Sequence, residues 1–395
     1  MSVRRIGNLR RLTCCLRPCS FHQVQPGAAR SFVCNPDPLV YSKQALAYSR
    51  FGFLCHPTGP LSRSLLSSRS YKVITAAMAS DFQSQWARRP HSEPPPKAPN
   101  GGKYKIAVCQ LCVTSDKETN IANARDRIEA AADKGAQLIV LPEMWNCPIS
   151  HESFPIYAEE IDAGLEVSPS LAMLADVARK KKVTIVGGSI PERSGGNLYN
   201  TCCVFDRNGD LKAKFRKVHL FDIDIPRKIT FRESDTLTPG EGLCVVDLDV
   251  GRVAVGICYD IRFPEMAMLY ASRGAHIICY PGAFNMVTGP LHWELLQKAR
   301  AVDNQIFVVT CSQARIPSAD YTAWGHSTVV GPFGEILATT EHEEATIFAD
   351  IDYSELDTRR QNMPLEFQRR GNLYHLTDVT RKELAANPMK QGSTS

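Results

Sequence analysis

A carboxylate, an ammonium and a thiol stand at equivalent places in this sequence, each closing an apolar, strand-like run just before a break. Glu143 ends Leu-Ile-Val-Leu-Pro-Glu, Lys217 ends Lys-Ala-Lys-Phe-Arg-Lys, and Cys258 ends Val-Ala-Val-Gly-Ile-Cys. Open α/β sheets present their ligand-binding groups at the carboxyl ends of strands, so the three side chains could meet in one hollow. A free thiol titrates at about 8.5 and attacks at neutral pH only with a base or a positive charge beside it. A carboxylate supplies the base, and a lysine can hold the oxyanion that attack creates. Taken singly, each residue has a plainer reading: a solvated turn glutamate, a surface lysine in a basic run, a small buried cysteine.

The elements that must position these groups alternate along the chain. Tyr104-Lys-Ile-Ala-Val-Cys-Gln-Leu has the length and composition of a strand. A helix follows in which Ile121, Ala124, Ile128 and Ala131 recur at spacings of three and four, with Arg125, Asp126 and Glu129 on the other face. Gly135 closes it, and Gln137-Leu-Ile-Val-Leu leads into Glu143. A second helix is expected from Leu171 to Lys182, then a strand at Val183, then hairpin strands between Asn200 and Val218 with Asn208-Gly209 as the turn. Later come a strand at Val253–Cys258, a helix at Pro264–Arg273, a strand at His276–Pro281, a helix at His292–Asn304 and a strand at Ile306–Cys311. Two last strands are expected, Thr328–Leu337 and Ala345–Ile351, with a turn at Pro332–Gly334. Buried-looking strands separated by helices indicate a layered α/β architecture.

The residues around the three positions resemble the nitrilase superfamily of carbon–nitrogen hydrolases. The motifs are Leu-Pro-Glu143, Phe-Arg-Lys217-Val-His-Leu-Phe and Gly-Ile-Cys258-Tyr-Asp-Ile-Arg-Phe-Pro-Glu, in the family's order, and the similarity covers Tyr104 to Ile351. The resemblance implies a four-layer α-β-β-α sandwich, a Glu-Lys-Cys triad, no cofactor and no metal, and assembly into a homodimer or larger homo-oligomer. Glu143 would be the proton acceptor, Cys258 the nucleophile that carries the acyl group as a thioester, and Lys217 with the Tyr259 backbone N–H the oxyanion hole. Glu233, in Thr230-Phe-Arg-Glu, matches a second glutamate that orients the lysine and substrate; its plainer reading is a loop carboxylate paired with Arg232. His219 suggests a Cys–His protease, but the family does not use it as a base, which leaves it a packing or hydrogen-bonding role.

Within the family the chain is most similar to the ω-amidase branch, through Lys-Val-His-Leu-Phe-Asp-Ile-Asp-Ile-Pro, Tyr280-Pro-Gly-Ala-Phe-Asn and the run from His292 to Asn304. That branch implies monoamides of short dicarboxylic acids, 2-oxoglutaramate and 2-oxosuccinamate, as small-molecule substrates. Arg262, four residues after the nucleophile, is the residue expected to grip the distal carboxylate with its guanidinium fork, and Thr288 is a weaker candidate for the same task. The plainer reading of Arg262 is a salt bridge to Asp260 or Glu265. Rival activities are an amidase of deaminated glutathione, a nitrilase and an N-carbamoyl hydrolase. A non-catalytic scaffold is the rival of another class.

The rest of the 395 residues bounds the setting. The first 80 carry nine Arg and two Lys against Asp37 alone, a net of +10, which leaves the remaining 315 at −5. The basic character therefore belongs to the leader, and a nucleic-acid-binding face on the folded part is not expected. Residues 1–77, rich in Arg and Ser, read as an organelle transit peptide, for a plastid in preference to a mitochondrion, and Met78 could start a shorter cytosolic form. Residues 78–103 form a Pro/Gly-rich linker, 104–352 the catalytic domain, and 353–395 a C-terminal extension, partly helical and then disordered. Five of the fourteen cysteines lie in the leader, and several of the other nine sit in apolar runs as small buried thiols do, so neither a disulfide scaffold nor a structural zinc site is expected. No run of eighteen apolar residues occurs, so no membrane-spanning helix is expected.

Overall fold

The computed structural model describes residues 102–380; the expected transit peptide, nearly all of the linker and the last residues of the C-terminal extension lie outside them. β1 (Lys103–Gln110) starts one residue ahead of the expected boundary and leads to helix α1 (Lys117–Asp133). Asp116 starts this helix because its side chain accepts the Thr119 N–H at 3.0 Å, which satisfies a donor that the first turn leaves free. The helix ends where Gly135 takes φ +87°, a conformation that favours glycine. Next come β2 (Leu138–Val140), α2 (Ser153–Tyr157), α3 (Pro169–Lys181), β3 (Thr184–Val186), β4 (Ile190–Ser194), β5 (Asn197–Phe205) and β6 (Leu211–Arg216). β7 (Asp222–Ile225) and β8 (Ile229–Arg232) make a separate two-stranded hairpin. The second half runs β9 (Cys244–Leu248), β10 (Gly251–Val255), α4 (Pro264–Ser272), β11 (Ile277–Gly282), α5 (Gly289–Asn304), β12 (Phe307–Ser312), β13 (Thr328–Val330), β14 (Ile336–Thr339) and β15 (Ala345–Asp352). α6 (Ser354–Asn362) and α7 (Leu365–Gln368) close the described chain.

Two sheets carry the architecture. One has the order β15-β1-β2-β3-β5-β4 with β6 on the far side of β5; the other has the order β14-β13-β12-β11-β10-β9. In each sheet three central strands are parallel, β1-β2-β3 and β10-β11-β12, and the flanking strands are antiparallel. Successive side chains of a strand point to opposite faces, and here both faces are buried. Ile106, Val108, Leu138, Val140, Cys202 and Val204 pack with residues of the second sheet, whereas Ala107, Ile139, Ile185, Cys203 and Phe205 pack on α1 and α3 through Ala124, Ile128, Leu171 and Leu174. The second sheet in turn packs on α4 and α5 through Met266, Tyr270, Trp293 and Ala301. The layers are thus helix, sheet, sheet, helix, the sandwich that the sequence motifs imply. The Cys311 thiol spans the seam, 3.2 Å from the Cys109 carbonyl and 3.4 Å from that of Val140.

Three expectations are corrected. The segment read as one strand over Thr328–Leu337 is a hairpin, because Pro332–Gly334 turns the chain inside it and the two arms pair across a register shift at Val329–Val330. α5 begins at Gly289, three residues before the expected start, since Pro290 is preset for a first helical turn. The C-terminal extension is continuous with the catalytic fold: Tyr353 and Leu356 are buried in the main core, and the Tyr353 hydroxyl meets that of Tyr104 at 2.8 Å.

Candidate active site

The carboxyl ends of β2, β6 and β10 converge, and the residues that follow them form a buried cluster of charge. After β2 the chain turns at Glu143 and Met144, the latter at φ +49°. This turn is fixed on all sides. Ser189 Oγ accepts the Met144 N–H at 3.1 Å, Gln313 Nε2 donates to the Glu143 and Met144 carbonyls at 2.8 and 3.0 Å, and Gly188, at φ +65°, lies directly behind Pro142. Lys217 follows β6, with its N–H on the Asn200 carbonyl at 2.8 Å. Its Nζ lies 2.9 Å from Glu143 Oε1 and 2.8 Å from Glu233 Oε2, with only 1% of the side chain exposed. Asn200 Nδ2 donates to both carboxylates, at 2.8 Å to Glu143 and 3.1 Å to Glu233, and the Phe221 N–H donates to Glu233 at 2.7 Å.

Cys258 opens a 3₁₀ helix (Cys258–Arg262) in the left-handed conformation, φ +46°, which non-glycine residues adopt only when their surroundings impose it. The Ala283 N–H points at its sulfur from 3.5 Å. Tyr259 is the second residue of that helix, so its N–H has no carbonyl within the helix to bond. Glu143, Lys217, Glu233 and Cys258 line one cavity, walled on its apolar side by Met144, Ile149, Phe154, Phe221, Phe231 and Tyr321.

Electrostatics give each group a defined resting state. Burial raises the Glu143 carboxyl above the ordinary glutamate range; Lys217 opposes this and Glu233 adds to it. Burial alone would depress Lys217, but Glu143, Glu233 and Cys258 outweigh it and hold the ammonium well above its usual value. For Cys258, burial and then the facing Glu143 carboxylate push the thiol well above its ordinary range, with Lys217 pulling back. At neutral pH the site therefore holds a thiol and an ammonium, beside a Glu143 carboxyl of raised proton affinity.

The remaining expected residues take different places. Glu233 is in the cluster, paired with Lys217 and not with Arg232. Arg262 lies outside the cavity lining, with its guanidinium over the Phe284 ring at 4.6 Å and the Tyr259 ring at 5.3 Å, and Nη1 on His292 Nδ1 at 3.1 Å. It makes no ion pair with Asp260 or Glu265, and its buried Nε has no hydrogen-bond partner among the described residues. Thr288 is buried at the start of α5 with its hydroxyl on Asn285 Oδ1 at 3.3 Å, away from the cavity, because the turn into the helix uses that hydroxyl. His219 hydrogen-bonds to Asp260 at 2.7 Å and stacks on Phe263. Sequence reading missed Asn200, Phe221, Phe231, Ala283 and Tyr321. An asparagine inside a strand and aromatics in a short hairpin carry no local signal of a site, although Ala283 lies within the quoted Tyr-Pro-Gly-Ala-Phe-Asn run. Away from this cavity, donor atoms of His326, Glu341 and His342 lie within 4.8 Å of one another, with the Glu341 side chain 78% exposed.

This fold and constellation define a hydrolase of carbon–nitrogen bonds. The chain belongs to the carbon–nitrogen hydrolase family, whose pattern matches residues 105–361. It is 64% identical over 315 residues to the chloroplastic omega-amidase of Arabidopsis thaliana, covering 80% of this chain and 85% of that one. It is 50% identical over 271 residues to Omega-amidase NIT2 of Homo sapiens, covering 69% and 96%. The crystal structure of Saccharomyces cerevisiae Nit3, a nitrilase-superfamily member, superposes with a TM-score of 0.63 at 44% identity, covering 68% of this chain and 97% of that one.

Proposed function

We propose that this hydrolase is an ω-amidase, which cleaves the terminal amide of short dicarboxylic acid monoamides, 2-oxoglutaramate and 2-oxosuccinamate, to the dicarboxylate and ammonia. The observation that carries this reading is the buried Lys217 ammonium held between Glu143 and Glu233 on the wall of the cavity that contains Cys258. The names of the Arabidopsis and human relatives support it. Glu143 accepts the thiol proton as Cys258 Sγ bonds to the amide carbon. The oxyanion so formed is met by the Lys217 ammonium and the Tyr259 N–H, donors of a kind worth roughly 3–4 kcal/mol of barrier each. The C–N bond then breaks as Glu143 returns the proton to nitrogen, so that ammonia leaves and the acyl group stays on sulfur as a thioester. Glu143 next takes a proton from water, whose oxygen attacks the thioester. The C–S bond breaks, the acid departs and the proton returns to Cys258. Every step uses side chains and water, and none calls for a cofactor.

Arg262 supplies the choice of substrate. Burial lowers its pKa, yet a guanidinium remains charged at neutral pH, and its unpartnered buried Nε needs an acceptor. A carboxylate at the end of the substrate opposite the amide fits that need. The test is ammonia release by the full-length protein from 2-oxosuccinamate and from an amide of equal length without the carboxylate. We expect at least tenfold higher kcat/KM on the monoamide, loss of that preference in Arg262→Ala, and no turnover in Cys258→Ala. Equal kcat/KM on the two amides in the wild type would refute the carboxylate reading, and faster turnover of deaminated glutathione would favour the rival amidase.

We place the protein in the plastid, on the Arg-rich, acid-poor first 77 residues and the chloroplastic relative. We also expect it to form a homo-oligomer, which the family resemblance implies and which would cover Leu291 and Leu295, one turn apart on α5 and both more than 60% exposed.

A further inference from the structure

Cys258 and Lys217 approach one another from different strands, 41 residues apart, and something must hold their loops at a fixed offset. The Lys217 ammonium is anchored by Glu143 and Glu233, and Glu143 also reaches the Cys258 thiol, which ties the side-chain tips together but leaves the backbone of the two loops to be held by other contacts. Asp260 supplies the missing link. Its side chain is fully buried, and one oxygen accepts the Ile257 N–H at 2.8 Å, the residue just before the nucleophile. The other oxygen accepts the His219 N–H at 2.9 Å and the His219 Nδ1–H at 2.7 Å, two residues beyond Lys217. Phe263, at the end of the same 3₁₀ helix, stacks face to face on the His219 ring at 3.6 Å, which sets the plane of the imidazole.

We propose that Asp260 and His219 are a positioning pair that ties the Cys258 turn to the Lys217 loop, so that sulfur and ammonium address the same carbonyl. The proposal rests on the reaction given above and assigns the pair no contact with substrate. The Ile257 bond pins the turn in which Cys258 takes its left-handed conformation, a geometry that survives only where it is over-determined. The two bonds to His219 then carry that turn's position to the lysine loop. An aspartate suits the task because one carboxylate accepts several N–H groups at once. A histidine suits it because it donates through its backbone and its ring to a single acceptor. Loss of the pair would shift the oxyanion hole relative to the nucleophile while leaving the cavity walls in place, so kcat should suffer and KM should not.

The experiment measures kcat, KM and thermal midpoint for ammonia release by full-length His219→Phe, His219→Asn and Asp260→Asn, with Cys258→Ala alongside. Phenylalanine keeps the stack on Phe263 but loses the ring donor, and kcat should fall about tenfold with KM within about threefold of wild type. Asparagine places an N–H where Nδ1 stood and should restore most of that loss. Asp260→Asn removes an acceptor and should cost about 10²-fold in kcat, the scale of a 1 Å misplacement of reacting groups. If that variant does not fold, the two His219 variants decide the matter. Wild-type kcat in His219→Phe, or equal impairment in His219→Asn, would overturn the pair while an inactive Cys258→Ala leaves the reaction standing. Turnover in Cys258→Ala would overturn the reaction itself and the pair's role with it.

Discussion

Four side chains share one desolvated space, and in the mechanism proposed above their charges set which group holds the proton. Burial first raises both the Cys258 thiol and the Glu143 carboxyl; the facing Glu143 carboxylate then adds to the shift of the thiol and Glu233 to that of Glu143, while Lys217 pulls both back. The base must be ionised to work, so kcat/KM should fall as pH drops through that raised pKa. Removing the Glu233 charge stabilises the Glu143 carboxylate, and Glu233→Gln should move the acid limb to lower pH. Removing the Lys217 charge does the opposite: Lys217→Met should move the limb to higher pH and also lose at least about 10² in kcat with the oxyanion donor. A pH profile in which both variants shift the same way would contradict this assignment. The structural thiols show the contrast, since Cys109 and Cys244 are pushed up to about 12 chiefly by burial, with no carboxylate base in contact, and remain packing groups.

At the scale of the element, the strand ends are stiffened by backbone hydrogen bonds that fix the functional side chains before any ligand arrives. The turn after β2 illustrates how little room it has. A Cβ on Gly188 would lie 2.3 Å from the Pro142 carbonyl oxygen and 2.7 Å from the Trp145 ring, and its φ of +65° disfavours any side chain. Gly188→Ala should therefore destabilise the fold by about 1–3 kcal/mol in denaturant titration and lower kcat by displacing Glu143. Unchanged stability would show that the turn yields more readily than its packing implies. The strand before Lys217 is secured differently. Arg216 Nη2 lies 2.7 Å from the fully buried Glu192, which also takes Lys214 at 2.9 Å, so two members of the basic run that reads as surface in sequence converge on one internal carboxylate.

Across the whole molecule, the two sheets and the C-terminal segment are joined at a seam that titrates. His276, at the entry to β11, accepts the Arg252 N–H at 3.0 Å on Nδ1 and packs against the Tyr353 ring at 4.6 Å. Burial first, and then the Arg360 and Arg252 cations, push its pKa down to about 4 from an ordinary 6.5. Between those values the unfolded chain binds a proton that the folded chain refuses, so stability should decline as pH falls from 6.5 towards 4. His276→Asn, which keeps an acceptor for Arg252 but cannot take up the proton, should flatten that decline in denaturant titrations over this range. An identical slope in the variant would place the acid sensitivity elsewhere.

Period-two and period-3.6 patterns suffice for the central strands and long helices, because alternation of buried faces is a local property of the chain; β1, α1, α3, β10, β11 and β12 were all legible in this way. The same holds for the strand-end placement of Glu143 and Cys258, since each lies next to an apolar run that declares itself, whereas Lys217 ends a basic run whose strand shows only by its alternation. The short hairpin of β7 and β8 was not legible, because four-residue strands of alternating charge look like loop. The turn at Pro332–Gly334 was legible, but not that it divides Thr328–Leu337 into two paired strands. The partners of the site belong to tertiary structure alone: Asn200 between two carboxylates, Ala283 facing the sulfur, Tyr321 on the wall, and His219 bound to Asp260. These contacts join residues tens of positions apart, and only the stacking of one sheet's strand ends against the other's brings them within reach.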